Sequence, residues 1–115
     1  MAKVKEFEVE DYTGDVPIFD DPYNIEYKFD EDIYIDEVMD YITDTYGTHY
    51  SVNNFQATEF IIDGGHGEGF CIGNILKYAQ RYGKKGSRQD ARKDLMKVLH
   101  YAIIQLYVHD QDDDS

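Results

Sequence analysis

Apolar residues recur at helical spacing along the second half of the chain, and their clearest run covers residues 70–82. On a helix, residues three and four positions apart share one side, so this segment separates into an apolar side and a polar side. It is predicted to form a helix that ends at Gly83. The apolar side, available for burial, carries Ile72, Ile75, Leu76 and Ala79.

A second helix is predicted from about Arg88 to His109, because apolar residues again follow helical spacing there. The intervening segment, GKKGS, is long enough only for a tight turn between antiparallel helices. The two helices are therefore predicted to form a hairpin with a basic connecting end. The residues predicted to form the buried seam of the second helix are Leu95, Leu99, Ala102, Ile103 and Leu106.

Two more helices are predicted upstream. Residues 32–46 show helical spacing, with Asp32 placed to cap the helix and Gly47 placed to end it. Residues 56–62 predict a short helix, which needs tertiary support to form. The glycine-rich segment DGGHGEG follows at 63–69 and lacks the GxxxxGK[ST] pattern of a phosphate-binding loop. It is predicted to be a flexible connector or a lid.

The first part of the chain has a different pattern. Residues 5–9 and 25–29 alternate apolar and polar positions, which predicts two strands able to pair as a ribbon. Both prolines of the chain lie between them, in a segment of loop composition. The predicted fold class is therefore mainly α, with a helical hairpin or small bundle as the core and a short N-terminal β or extended acidic element.

Charge divides the chain more sharply than hydropathy does. Residues 1–45 hold 15 of the 24 acidic residues but only three of the 11 basic ones, and the other eight lie between Lys77 and Lys97. We therefore predict an acidic N-terminal extension (1–45), a helical domain (46–109) and an acidic tail (110–115). The extension can screen the basic segment, imitate a polyanion towards a host protein, or form a solvated surface.

Composition excludes several classes of protein. A chain of 115 residues suffices for one modest core, and its single cysteine, Cys71, allows no internal disulfide. No secretion signal and no run of 18 apolar residues is present, so we predict a cytoplasmic protein without a membrane segment. One cysteine and four scattered histidines match no zinc-ligand spacing, and no metal site formed by protein side chains is predicted. The net charge of −13 disfavours binding to long nucleic acids.

The polar side of the 70–82 helix carries Asn74, Lys77, Tyr78 and Arg81. The chain matches the pattern HY, GNxxKYxxR and DLxKxxxY at three places: HY at 49–50, GFCIGNILKYAQRYGKKG at 69–86 and DLMKVLHYAIIQL at 94–106. Over residues 49–107 the chain thus resembles a small phage-encoded domain of the P-loop-less nucleotide kinase type. The resemblance implies a phage accessory protein of the host cytoplasm that binds or phosphorylates nucleotides, as a nucleoside monophosphate kinase without a Walker A motif.

The resemblance also implies roles for individual residues. Lys77, Arg81 and Lys85 would be catalytic, neutralising the charge that develops in phosphoryl transfer while Mg²⁺ carried by the nucleotide bridges the phosphates. The remaining nucleotide contacts would come from His49, Tyr50, Asn74, Tyr78, Lys84, Lys97 and Tyr101.

These assignments have structural alternatives. Arg81 can instead pair with Asp94 or Asp90 across the hairpin, and Lys77 can be a solvated surface charge. The asparagine can hydrogen-bond between helices, and the tyrosines can be core residues, since aromatic residues at helical spacing are often buried.

Three functions stay open at this point. The protein can be an enzyme acting on nucleotides, or a nucleotide-sequestering protein with the same pocket and no turnover. It can also be a non-catalytic interaction protein whose acidic residues 1–45 bind a host protein and inhibit or redirect it. A domain this small with an apolar seam can form a homo-oligomer.

Overall fold

The computed structural model describes residues 25–47, 49–84 and 86–111, without the side chains of residues 49–52. Within these ranges the chain forms no strand, and the predicted mainly α fold is confirmed. The helices are α1 (Glu31–Thr45), α2 (His49–Asp63), α3 (Gly67–Arg81) and α4 (Arg88–Gln111). None of them is both long and apolar enough, over the part of the chain described, to cross a membrane.

The chain divides into two compact units, Met1–Asp32 and Ile33–Ser115. Residues 25–29, predicted as one arm of a ribbon, contain no strand, and the other arm, 5–9, lies outside the described residues. Helix α1 begins one residue earlier than expected, so Asp32 lies in its first turn and is not its cap. The predicted boundaries after residues 45 and 109 stay predictions.

The glycine-rich segment is a tight turn, and the expectation of a flexible connector or lid was wrong. The N–H of His66 donates to the carbonyl of Ile61 at 3.0 Å, and that of Gly65 donates to Ile62 at 2.9 Å. This pair of bonds is a Schellman cap, which needs a left-handed residue, and Gly65 has a φ of 90°. The cap ends α2 and allows α3 to begin at once.

Gly67 shows how closely the helices approach each other after this turn. It is buried, and a β-carbon there would lie 3.1 Å from side-chain carbons of Ile62 on α2 and of Val108 on α4. A larger residue would fit only if the side chains of Ile62 and Val108 moved by a few tenths of an ångström. Two glycines of the segment are thus explained by backbone geometry and packing, with no ligand involved.

The turn between α3 and α4 ends in a capping box. The N–H of Asp90 donates to Ser87 Oγ at 3.1 Å, and the N–H of Ser87 donates to Asp90 Oδ2 at 3.0 Å. These reciprocal bonds satisfy backbone donors that a helix start leaves unpaired, and they lower the pKa of the Asp90 carboxyl. Because the turn is so short, α3 packs mainly on α4. Helix α2 packs on α3.

Helix α1 packs on the other side of α4. Val38 is buried, and the Arg92 guanidinium donates two hydrogen bonds to the Glu37 carboxylate, one of them 2.9 Å long. These bonds lower the pKa of Glu37 and raise that of Arg92. Met96 of α4 is also buried.

The predicted seam of α4 is not buried, and this expectation was wrong. Four of its residues keep between 44% and 62% of their surface exposed: Leu95, Leu99, Ile103 and Leu106. On α3, Ile72 and Leu76 are likewise exposed. A helix can turn only one side to its neighbour, and α4 turns to α3 the side that holds Asp94 and Tyr101, roughly a third of a turn or more from the leucines.

Candidate functional site

The polar sides of α3 and α4 meet around one aromatic ring. Lys77 Nζ lies 4.9 Å from the centre of the Tyr78 ring, Arg81 Cζ lies 5.6 Å from it, and Lys97 Nζ of α4 also lies 5.6 Å from it. We call these three cations and the ring the cation cluster. The electron-rich face of a phenol ring attracts cations at such distances, which offsets part of the repulsion among three like charges.

Arg81 is held by a buried carboxylate. Its Nε lies 3.4 Å from Asp94 Oδ1, with the arginine side chain 46% exposed and that of Asp94 only 2%. The pairing that the sequence offered as the structural alternative is therefore present. It engages one edge of the guanidinium, while the partial exposure leaves the arginine open to solvent. Asp94 thus acts as a positioning residue for Arg81.

A connected set of aromatic rings leads away from the cation cluster. The Tyr78 and Tyr101 rings are nearly parallel, 9° apart, with centres separated by 6.2 Å. The ring of His100 lies 6.3 Å from that of Tyr101 and makes edge contacts, each at 6.1 Å, with Tyr41 of α1 and Phe55 of α2. One row of rings therefore connects the hairpin with α1 and α2.

All of these rings except that of Tyr78 border a cavity of about 370 Å³. The residues that line it come from α1, α2 and α4: Tyr41, Asp44, Thr45, Asn54, Phe55, Thr58, Lys97, His100, Tyr101 and Ile104. Lys97 belongs both to this lining and to the cation cluster. The cavity therefore adjoins the cation cluster at Lys97.

The surroundings of His100 in this cavity shift the pKa of its imidazole. Partial burial lowers the pKa of its imidazole, and the positive charge of Lys97 lowers it further. The ring is therefore neutral at pH 7, so one nitrogen can donate a hydrogen bond and the other can accept one.

The structure brings together only some of the predicted site residues. Lys77, Tyr78, Arg81, Lys97 and Tyr101 meet as described. The Asn74 amide donates to the carbonyl of Phe70 at 2.9 Å, on its own helix, so at least one of its donors is used structurally. Lys84 lies exposed in the turn after α3. Three further predictions, Lys85 and the side chains of His49 and Tyr50, fall outside what the structure describes.

Sequence reasoning missed the far wall of the cavity. Tyr41, Asn54, Phe55 and His100 were not among the predicted contacts, although each lines it. Three of them lie on α1 and α2, and no local pattern reports which side of these helices faces α4. His100 alone had a usable signal, because it precedes Tyr101 in the second motif.

Carboxylates are sparse around the cavity. Asp44 is the one acidic residue in its lining, and no cluster of three or more potential metal ligands occurs among the residues described. Glu59 and Asp63, one turn apart on α2, are exposed. A magnesium ion in this cavity would take most of its ligands from nucleotide phosphates and water.

A family model for proteins of unknown function, DUF3310, matches residues 26–103. The chain belongs to the DUF3310 family. No curated protein and no solved structure matches it. The matched range includes α1, α2, α3 and most of α4, and so it covers the cation cluster and nearly the whole lining of the cavity. Only Ile104, of the residues named above as lining it, follows the matched range.

Proposed function

We propose that this DUF3310 protein binds nucleotides, with the phosphates at the cation cluster and the base in the adjoining cavity. The observation that carries the proposal is the meeting of three cations around Tyr78 beside a cavity bordered by aromatic rings. A nucleotide has the same two parts, a compact polyanion and a flat aromatic base.

The phosphate end is supported by the chemistry of the three cations. An arginine can bind two phosphate oxygens through parallel hydrogen bonds, whereas lysines act as point charges. Lys77 and Lys97 have no carboxylate partner among the described residues, so their charges are available to a ligand. Asp94, by holding Arg81 at Nε, orients the guanidinium before a phosphate arrives.

The base end is supported by the size and lining of the cavity. Its volume lies within the range of small-molecule sites, roughly 300–1,000 Å³. Phe55 and Tyr101 offer ring faces for stacking, while Asn54 and Asp44 offer hydrogen-bonding groups for the edge of a base. The neutral imidazole of His100 adds a donor and an acceptor.

For the reaction, we propose phosphoryl transfer of the nucleoside monophosphate kinase type, in a phage accessory protein of the host cytoplasm. This step rests on the resemblance of the two helical motifs. A phosphate oxygen of the monophosphate would attack the terminal phosphorus of a nucleoside triphosphate, releasing the diphosphate. Lys77, Arg81 and Lys85 would neutralise the charge on the transferring group, and magnesium would arrive with the triphosphate.

The test is a thermal-shift screen against nucleoside mono-, di- and triphosphates, with and without Mg²⁺. A ligand at 100 times its Kd adds about 2.7 kcal/mol to the free energy of unfolding. Lys97→Ala should weaken binding about 10- to 100-fold, the usual contribution of a hydrogen bond to a charged group.

Lys93→Ala is the matched control, because it removes the same charge from α4 at an exposed position outside the cation cluster. The proposal fails if no nucleotide shifts the melting curve, or if both variants weaken binding equally. Chromatographic detection of the diphosphate product then separates a kinase from a protein that only sequesters nucleotides.

A further inference from the structure

The side of the hairpin away from the cation cluster exposes several apolar side chains. They are Ile72 and Leu76 on α3, and Leu95, Leu99 and Leu106 on α4. A groove of about 400 Å³ joins the two helices there, lined by Ile75, Ala102, Gln105, Leu106 and His109. We call this surface the apolar face.

We propose that the apolar face binds a second copy of this chain, with the two α4 helices antiparallel across a two-fold axis. The α3–α4 hairpins of both copies would then form a four-helix core, and the cation clusters would point away from it. This inference does not depend on nucleotide binding.

The first argument is the register of the apolar residues on α4. Leu95 and Leu106 are equally distant from the midpoint between His100 and Tyr101, and so are Leu99 and Ala102. When two copies of a helix pair antiparallel about such a midpoint, each residue meets its symmetry mate. At the ends, Leu95 of one copy would meet Leu106 of the other. At the centre, Leu99 of one copy would fill the space left by the small Ala102 of the other.

The second argument is charge. The apolar stripe of α4 runs from Leu95 to Leu106. Two basic residues, Arg88 and Arg92, lie before it. Asp110 lies after it, and three further aspartates follow in the sequence. Arg92 already pairs with Glu37 of its own chain, so the argument rests on Arg88. Helical spacing places Arg88 and Asp110 on nearly the same side of α4. An antiparallel pair brings these opposite charges together at both ends, whereas a parallel pair would set like charges side by side.

The third argument is how little apolar surface one copy buries. In the described part of the chain, the buried apolar side chains are Val38, Cys71, Ala91 and Met96. The stripe from Leu95 to Leu106 is about 17 Å long, and Ile72 and Leu76 of the adjoining helix extend it. Large exposed apolar patches mark interaction surfaces.

Sedimentation equilibrium of the full chain, over a range of concentrations, tests the proposal. A concentration-dependent dimer is expected. Leu99→Glu should raise the dimer Kd at least about 100-fold, because the apolar contact of Leu99 with the other copy is lost twice, once in each chain. Phe60→Glu is the control: Phe60 is 80% exposed on α2, away from the apolar face, and its replacement should leave the Kd unchanged.

A cysteine pair keeps the proposal testable even if Leu99→Glu unfolds the protein. Leu99→Cys combined with Ala102→Cys should form interchain disulfides on mild oxidation, since the native Cys71 is buried. A wild-type chain that stays monomeric at high concentration would overturn the proposal. So would a cysteine variant that gives no more covalent dimer than Phe60→Cys does.

Discussion

Asp94 and Arg81 connect stability and function at the scale of single residues. A nearly fully buried carboxylate is tolerated in a helical hairpin because a guanidinium lies 3.4 Å away. Its half-exposed partner contributes less than a fully buried one would, since water screens the pair. Arg81 is therefore both a candidate phosphate ligand and the counter-ion of the core, and this is why Lys97 is the cleaner probe of nucleotide binding.

We predict that Arg81→Ala lowers the free energy of unfolding by about 2 kcal/mol, because it leaves the Asp94 charge buried without a partner. Removing both groups, in Arg81→Ala with Asp94→Ala, should recover part of the loss. Urea unfolding of the two single variants and the double variant measures the coupling. Lys77→Ala, an exposed cation of the same helix, is the comparison, and an equal cost for it would show that Asp94 needs no counter-ion.

His100 predicts a pH dependence of stability. Because burial and Lys97 lower its pKa in the folded state, the unfolded chain takes up a proton first as the pH falls. The stability contributed by the neutral ring is complete above about pH 6.5, the ordinary pKa of histidine, and is lost as the pH falls towards the folded-state pKa. His100→Phe should flatten this slope, measured by urea unfolding between pH 5 and 8. A slope unchanged by His100→Phe but removed by His66→Gln, in the exposed turn, would refute the assignment.

At the scale of helices and turns, glycines determine how one helix connects to the next. Gly86 has a φ of 82°, and a β-carbon there would lie within 3 Å of the Asp90 side chain that closes the capping box. A side chain at position 86 would therefore disturb both the turn and the cap at the start of α4. Gly73 is the opposite case, since it lies inside α3 with open space around it.

We predict opposite effects for the same substitution at these two positions. Gly86→Ala should destabilise the protein by about 1–3 kcal/mol through left-handed strain and the loss of the cap. Gly73→Ala should stabilise it by about 0.5–1 kcal/mol, because alanine loses less backbone entropy in a helix. Thermal unfolding of both variants compares them directly. Equal shifts would mean that the turn is not constrained as described.

At the scale of the whole molecule, α1 completes both the core and the cavity. It buries Val38, pairs Glu37 with Arg92, and contributes Tyr41, Asp44 and Thr45 to the cavity lining. The family match also begins before it, at residue 26. The predicted role of residues 1–45 in binding a host protein stays a prediction.

We predict that a chain shortened to residues 25–115 keeps the cooperative melting of the described helices and its response to nucleotides. A chain shortened to residues 46–115 should lose both, because Met96 and one wall of the cavity become exposed. Circular dichroism melting with and without nucleotide compares the two. If the shorter chain melts and binds like the longer one, the domain begins after residue 45 as the charge pattern predicted.

The sequence by itself determined the local features of this protein. The presence of four helices, the turn after α3 and the basic face of α3 could be read from it, because helical periodicity, glycine and capping residues act within a few positions of themselves. The extent of α2 could not: it was predicted for residues 56–62 only, whereas the helix begins at His49. The Arg81–Asp94 pair could be foreseen as one alternative for the same reason, since a short turn brings those two helices together.

Only the tertiary structure decided which sides of the helices face each other. Helix α4 carries a leucine stripe and a polar motif, either of which could have been turned inward, and burial of the motif beside α3 left the leucines exposed. The cavity wall formed by Tyr41, Phe55 and His100 was equally invisible, since three helices distant in sequence must pack before it exists. Such choices depend on the summed contacts of the whole core, which no local pattern records.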